Sequence, residues 1–174
     1  MNVEDRIALH SRMAKAYGDA YLRQGVQDGE AFVDVWKFAD DAAYASPYFT
    51  GDDAYKLSKF PEESARASTM EAKVYSLRFP DWKPVDFRYW PADNGFVMKT
   101  RWQGSTQDGV EMGFYSYSFI ETNHDGEVIR WETHVNDEYS DFLDVAIGVH
   151  GPFHGTSEYV EALERRLEED GVTV

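Results

Sequence analysis

The chain has 174 residues, of which 43% are hydrophobic and 16% aromatic, so it can bury one substantial core and is not intrinsically disordered. Its 17 basic and 32 acidic residues give a net charge of −15, which argues against nucleic acid or an anionic membrane as a partner. The absence of cysteine excludes disulfides, thiolate metal sites and a cysteine nucleophile. With neither a signal peptide nor an apolar run of about 18 residues, we expect a cytoplasmic protein without a membrane partner.

The first part of the chain is predicted to be mainly helical. Apolar residues recur at helical spacing over residues 4–24, and a second short helix is predicted to begin near Asp28. The segment "AAYASPYF", residues 42–49, has the composition of a short strand that runs into a turn. Residues 51–79 are predicted to be mostly helical, with a break at Pro61.

The second part of the chain is predicted to form strands. Four segments rich in β-branched and aromatic residues are separated by the turn sequences "PADNG", "STQDG" and "NHDG", which predicts an antiparallel meander. Helices followed by a meander indicate an α+β domain, with helices packed on a curved, mostly antiparallel sheet. A last helix is predicted from about Ser157 to Gly171. We assign residues 1–149 to the domain and 150–174 to a C-terminal helical extension.

Four segments follow one another in a known order: "FADDAAYASPYF", "SLRFPDW", "DGEVIRWETHVND" and "DFLDVAIGV". In order and spacing they resemble the SnoaL-like branch of the nuclear transport factor 2-like (NTF2-like) superfamily. The phenazine-biosynthesis members of that branch have a particularly similar "FPDW" and last strand. The resemblance covers about residues 5–149 and leaves the C-terminal helix unmatched.

The resemblance implies a cone-shaped α+β barrel around a deep, mostly apolar pocket. Members include polyketide cyclases, ketosteroid isomerase, dehydratases and a cofactor-free diarylpropane formaldehyde lyase, while others only bind ligands. The catalytic members move one proton on a bulky hydrophobic molecule by means of a carboxylate or imidazole. For this chain the resemblance implies a small hydrophobic aromatic substrate and no cofactor.

The predicted site depends on the last strand, "VIRWETHVN", whose side chains alternate between two faces. The polar face consists of Arg130, Glu132, His134 and Asn136. The other face consists of Ile129, Trp131, Thr133 and Val135. In SnoaL-like cyclases this strand ends in an inward Asp, whose position falls on Asn136 or, with a shift of one residue, on Asp137. An inward Asn136 would turn the polar face toward the pocket; the alternative is a solvated face paired with Lys99 or Arg101.

Three residues are predicted as catalytic candidates. His134 comes first, because an imidazole titrates near neutral pH and can both take and return a proton. Glu132 on the same face could orient His134 or be the base itself. Asp28 is the third, since dehydratases of the superfamily use an Asp just after the first helix. The partner His of that pair is absent from "FPDWKPVDF", and the alternative role of Asp28 is a helix N-cap.

The predicted substrate-binding residues are side chains that could stack on a ring or hold its oxygen. They are Tyr17, Tyr21, Trp102, Tyr115, Tyr117, Arg130 and Asn136. Alternatively, Tyr115 and Tyr117 lie in an interface, and Tyr17 and Tyr21 belong to the core. No metal site is predicted, because His150 and His154 lack a third ligand and lie among Gly and Pro residues.

Together these observations favour a cofactor-independent lyase, either a dehydratase or a formaldehyde-releasing lyase, that acts on a bulky aromatic or polycyclic molecule. A polyketide-cyclase-like or steroid-type isomerase is one alternative, although Asn136 in place of Asp disfavours the cyclase mechanism. A non-catalytic protein that binds a hydrophobic ligand is the other. We expect a homodimer or homotrimer, because an open cone with an amphipathic C-terminal helix leaves apolar surface to be covered.

Overall fold

The structure, a computed structural model, describes residues 1–24, 35–46, 55–56 and 62–172. Side chains are described throughout these ranges except at 21–24, 55–56, 62–69 and 155–156. The helix predicted at Asp28 and the end of the strand predicted at 42–49 therefore fall largely outside the described residues.

Within these ranges the chain forms helices and a six-stranded sheet. The helices are α1 (Val3–Gln24), α2 (Glu62–Arg78), α3 (Glu138–Ile147) and α4 (Gly155–Glu169). The strands are β1 (Phe38–Ala45), β2 (Tyr55–Lys56), β3 (Lys83–Ala92), β4 (Gly95–Ser105), β5 (Glu111–Thr122) and β6 (Val128–Val135). None of the described helices is both long enough and apolar enough to cross a membrane.

The strands are ordered β2-β1-β6-β5-β4-β3 in a curved sheet that does not close. Neighbours are antiparallel except β1 and β6, which run parallel. The predicted α+β class and the meander from β3 to β6 are confirmed. Helix α3 was not predicted, since its segment was interpreted only as a match to the family's ending.

The predicted turns lie where the sequence placed them. Ala92 pairs with Gly95, so "DN" forms a two-residue turn between β3 and β4. Between β5 and β6, the Asn123 side chain accepts the backbone N–H groups of Asp125 and Glu127, both at 3.0 Å. These tight turns keep consecutive strands adjacent and fix their register.

Burial along β4 distinguishes the two faces of the sheet. The inner face carries Phe96, Met98, Thr100 and Trp102, which are all buried. The residues between them are partly exposed and define the outer face. The described hydrophobic packing of α1, α2, α3 and α4 is against the inner face or among the helices themselves.

Two separate clusters of buried side chains lie on the inner face. The first joins α2, α3 and α4 to one end of the sheet, with Phe142 at its centre. The Phe142 ring centroid lies 4.8 Å from that of Phe79 and 4.5 Å from that of Trp82. The second lies under α1 and includes Tyr17 and Trp36. A single domain usually has one contiguous core, but here a region that belongs to neither buried cluster separates the two.

Helix α1 is fixed to the sheet by close and specific contacts. A Cβ atom on Gly18 would meet the Phe87 ring at 2.4 Å, so the helix can approach β3 only because this position is Gly. The fully buried His10 bonds through Nδ1 to the carbonyl of Ala92 at 2.6 Å and through Nε2 to the hydroxyl of Thr122 at 2.8 Å. Both ring nitrogens of His10 are therefore used structurally.

We predict that Phe142→Ala lowers the free energy of unfolding by about 3 to 5 kcal/mol, because it removes a ring that is 0% exposed and leaves a cavity among five other rings. Urea unfolding followed by circular dichroism measures the change. The control is Val145→Ala on the same helix, where the side chain is 39% exposed and the change should stay within about 0.5 kcal/mol. Equal effects of the two variants would contradict the described packing of α3.

Candidate active site

The interior is organised by the orientation of β6. The Trp131 ring lies 5.2 Å from that of Trp36 and 5.9 Å from that of Tyr17, so it points toward the helices. Its indole Nε1 donates to Thr133 Oγ1 at 2.9 Å, and that hydroxyl also lies 3.0 Å from Ser118 Oγ. Trp131 and Thr133 therefore belong to the inner face.

The polar face of β6 points outward, so the predicted inward orientation of Arg130, Glu132 and His134 is wrong. Glu132 accepts hydrogen bonds from Arg130 and from His134, each at 2.7 Å. The His134 side chain is 42% exposed and that of Arg130 44%. The Arg130 guanidinium holds the pKa of Glu132 below its ordinary value, and His134 adds to the effect. This is the solvated face weighed as the alternative, with its ion pairs along β6 rather than across to β4.

Asn136 also does not point into the interior. Its Oδ1 accepts the backbone N–H of Tyr115 at 2.8 Å, and its Nδ2 donates to Glu138 at 2.8 Å. It therefore holds the end of β6 against β5 and starts the turn into α3. Asp137 next to it is exposed.

The other predicted substrate-binding residues are divided between the two faces. Tyr115 and Tyr117 lie on the outer face, where the Lys99 ammonium lies 4.5 Å from the Tyr115 ring centroid. Tyr17 and Trp102 lie on the inner side and are nearly buried. Asp28 and the side chain of Tyr21 lie outside the described residues.

The structure instead brings one carboxyl group and several tyrosines together inside the fold. Glu71 and Tyr75 come from α2, Tyr139 from the start of α3, Tyr159 from α4 and Tyr44 from β1. We call these five residues the Glu71 network. None of the five was predicted as a site residue. Glu71 follows Met70 and precedes Val74 by one helical turn, so a Glu at the edge of an apolar stripe was the only available indication.

The hydrogen bonds of the Glu71 network converge on one carboxylate oxygen. The Tyr159 hydroxyl donates to Glu71 Oε1. The Tyr75 hydroxyl lies 2.7 Å from that of Tyr159 and, since the Tyr159 proton is directed to Glu71, Tyr75 is the donor. In the part of the chain that the structure describes, Tyr159 is the only hydrogen-bond partner of the Glu71 carboxyl. One oxygen is held, and the other has no hydrogen-bond partner among the described residues.

Burial raises the pKa of Glu71 from 4.5 to about 7, and the hydrogen bond from Tyr159 opposes this increase only in part. The carboxyl is enclosed by protein, while the residue as a whole stays partly accessible. Burial also raises the pKa of Tyr44 to about 12 and moves those of Tyr75, Tyr139 and Tyr159 well above their ordinary value. At neutral pH the tyrosines are therefore hydrogen-bond donors around a carboxyl that both gains and loses its proton.

Tyr44 connects this network to the sheet, because its hydroxyl bonds with Thr133. Several side chains in this region point inward and yet remain partly accessible. They are Tyr44, Ser116, Trp131, Thr133 and Val135. In a closed core these positions would be fully buried, so this part of the inner face is not completely covered. Through the Tyr44–Thr133 bond the Glu71 network reaches the same face of the sheet as the Trp131 indole.

The chemistry of these residues is that of proton transfer. A carboxyl with a pKa near neutrality acts as a base when ionised and as an acid when protonated. In the ranges described, no group of three or more His, Asp or Glu side chains has the arrangement of a metal site.

No family model matches the sequence, and no curated protein matches it significantly. Among solved structures, a protein assigned as a SnoaL-like polyketide cyclase from Jannaschia sp. CCS1 is similar, with a TM-score of 0.53 and 14% identity over 80% of this chain and 92% of that one. An NTF2-like protein of unknown function from Burkholderia pseudomallei K96243 has a TM-score of 0.51 and 7% identity, over 79% and 97% of the two chains. At these identities the likeness shows the fold and not the reaction. The protein therefore has the NTF2-like fold that the sequence resemblance implied.

Proposed function

We propose that the protein is a cofactor-independent enzyme of the lyase or isomerase type that moves a proton on a bulky, hydrophobic aromatic molecule. Glu71 is the group that moves the proton. The observation that carries the proposal is a carboxyl with a pKa of about 7, one of whose oxygens is held by Tyr159 while the other has no hydrogen-bond partner among the described residues. The role proposed from the sequence for His134 and Glu132 passes to Glu71, because those two side chains point away from the interior.

The residues around Glu71 have distinct roles in this proposal. Tyr159 orients the carboxyl, and Tyr75 orients Tyr159 through a hydroxyl pair at 2.7 Å. Tyr44, with a pKa of about 12, stays protonated throughout turnover and is a donor for an oxygen that gains negative charge. Trp131 supplies a ring face on the inner side of the sheet for an aromatic substrate.

A dehydration uses both protonation states of Glu71. The carboxylate takes a proton from carbon, the electron pair of that C–H bond forms the C=C bond, and the C–O bond breaks. The leaving hydroxide takes the proton and departs as water, which returns Glu71 to the carboxylate. Returning the proton to a different carbon of the same molecule gives isomerisation, which the same groups support. Neither the dehydration nor the isomerisation needs a cofactor.

A protein that only binds a hydrophobic ligand would need no titratable group inside its cavity. Burying a carboxyl destabilises the folded state, so stability alone would favour an apolar residue at position 71. The presence of Glu71 among four tyrosines therefore favours catalysis over binding alone.

We also propose that the outer face of the sheet binds a second copy of the chain. Phe119 there is 43% exposed and lies beside Tyr117 and His134. The face carries Lys99 and Arg101 on β4 and Glu132 on β6, so two copies related by a twofold axis can place opposite charges together.

Glu71→Gln is expected to reduce turnover by at least about 10²-fold, because an amide cannot carry the proton. The assay substrate comes from a screen of aromatic diols and hydroxylated polycyclic compounds with no cofactor added. The matched control is Glu161→Gln on the exposed side of α4, which should leave turnover unchanged. His134→Ala should also stay within a few-fold of the wild type. Loss of turnover in His134→Ala with retention in Glu71→Gln would contradict the assignment.

The raised pKa of Glu71 also predicts how stability depends on pH. Between pH 4.5 and 7 the folded protein holds a proton on Glu71 that the unfolded chain releases, so this group lowers stability as the pH rises, by up to about 3 kcal/mol. Glu71→Gln removes the effect. Urea unfolding at pH 5 and pH 8 should show the variant gaining stability relative to the wild type at the higher pH. A constant difference at the two pH values would mean that the carboxyl titrates normally.

The proposed interface predicts that light scattering of the wild type gives at least twice the 20.0 kDa mass of one chain at micromolar concentration. Phe119→Lys should shift the protein toward the monomer, because it replaces the exposed ring at the proposed interface with a charge. Val110→Lys, at a site that is 53% exposed in the β4–β5 turn, is the control and should keep the wild-type mass. A wild-type monomer, or an unchanged mass in Phe119→Lys, would rule out this face.

A further inference from the structure

One hydroxyl on the inner face of the sheet has no hydrogen-bond partner among the described residues. Thr100 is 3% exposed and lies between Met98 and Trp102 on the inner face of β4. Its hydroxyl makes no hydrogen bond with any residue that the structure describes, although its backbone is paired in the sheet. Among the described residues, the fully buried side-chain atoms without a partner are Arg78 Nε and Arg166 Nε, so the unbonded Thr100 oxygen is not sealed in the core and can accept a partner from outside the fold.

The residue directly across from Thr100 has an unused proton. Ser116 on β5 is the cross-strand partner of Thr100. Its Oγ accepts the indole N–H of Trp102 at 3.0 Å, and an indole has no acceptor to offer in return. Ser116 therefore keeps its own O–H to donate, and no acceptor for it lies in the described ranges. The residue is partly accessible on the inner side.

The two hydroxyls are close enough to bind the same atom. Directly opposed residues on antiparallel strands have Cβ atoms roughly 5 Å apart, and both of these point inward. Two donors at that separation match one acceptor oxygen with two lone pairs. A carbonyl or phenolate oxygen fits this requirement, whereas a purely hydrocarbon group would leave both hydroxyls unbonded.

We propose that Thr100 and Ser116 form a second polar subsite that binds an acceptor oxygen of the substrate, remote from the carbon at which Glu71 acts. This inference rests on the proposed function, because the bound molecule is a substrate only if the protein is the enzyme proposed above. The network reaches the sheet at Thr133 on β6, and Thr100 lies two strands further, roughly 10 Å away. The substrate class is therefore a bicyclic or larger aromatic compound with a carbonyl-type oxygen at the end opposite the reacting carbon.

The subsite is tested by binding, with two probes that differ in one group. 2-Acetylnaphthalene carries a carbonyl where 2-ethylnaphthalene has a methylene, and the two are otherwise alike in shape. Equilibrium dialysis against the wild type gives the ratio of their dissociation constants. Thr100→Val, which keeps the volume, and Ser116→Ala should each reduce the preference for the ketone about five- to tenfold, chiefly by weakening ketone binding.

The control variant removes a hydroxyl from the same strand away from the subsite. It is Ser105→Ala, at the far end of β4, where the hydroxyl bonds to Asp81 and the probe ratio should stay as in the wild type. An unchanged ratio in both Thr100→Val and Ser116→Ala would overturn the proposal, as would an equal change in Ser105→Ala. Should Thr100→Val unfold, Ser116→Ala alone decides.

The same measurement separates this inference from the proposed function. Glu71→Gln should bind both probes with the wild-type ratio, since neither probe needs to react. An enzyme that retains turnover in Glu71→Gln while the probe ratio depends on Thr100 would refute the assigned base and keep the subsite. Loss of turnover in Glu71→Gln with no effect of Thr100→Val on the probe ratio would support the assigned base and refute the subsite.

Discussion

The contact of Trp131 with Trp36 and Tyr17 is the interaction on which the interior depends. Because side chains alternate along a strand, this one aromatic contact places Thr133 inside and His134 outside. Paired residues on neighbouring strands share a face, so the pairing of β6 with β5, and of β5 with β4, fixes which side chains of those strands point inward. Slipping any strand by one residue would exchange the charged outer face for the interior, and the burial of rings by the helices prevents that.

The fold class, the meander and the turns could be predicted because they depend on local patterns that the chain repeats clearly. The orientation of β6 could not, since the argument was anchored on Asn136. The ladder between β5 and β6 ends at the pair of Ser116 with Val135, and Asn136 bonds to the backbone of β5 beyond that point. Alternation holds only within the ladder, so a residue just outside it carries no information about the faces. The bulk of Trp131 was the better guide.

The Glu71 network shows a different limit of sequence reasoning. Tyr44, Tyr159 and the two residues of α2 lie in elements that the sequence predicts, whereas Tyr139 lies in α3, which was not predicted. Their meeting, however, joins residues from β1, α2, α3 and α4, whose arrangement follows from packing around Phe142. A lone Glu beside an apolar stripe is ordinarily a surface residue. Only its enclosure by tyrosines makes it a group that titrates near neutral pH.

The hydrogen bond between Tyr159 and Glu71 also has a consequence for how the protein is made. The two residues are 88 positions apart in the chain, and a ribosome adds them in that order. Throughout the interval α2 and the sheet can begin to pack, since domains start to fold during synthesis. The carboxyl meanwhile lacks its hydrogen-bond donor. The bond that holds Glu71 can therefore form only after α4 has been synthesised and has packed against α2.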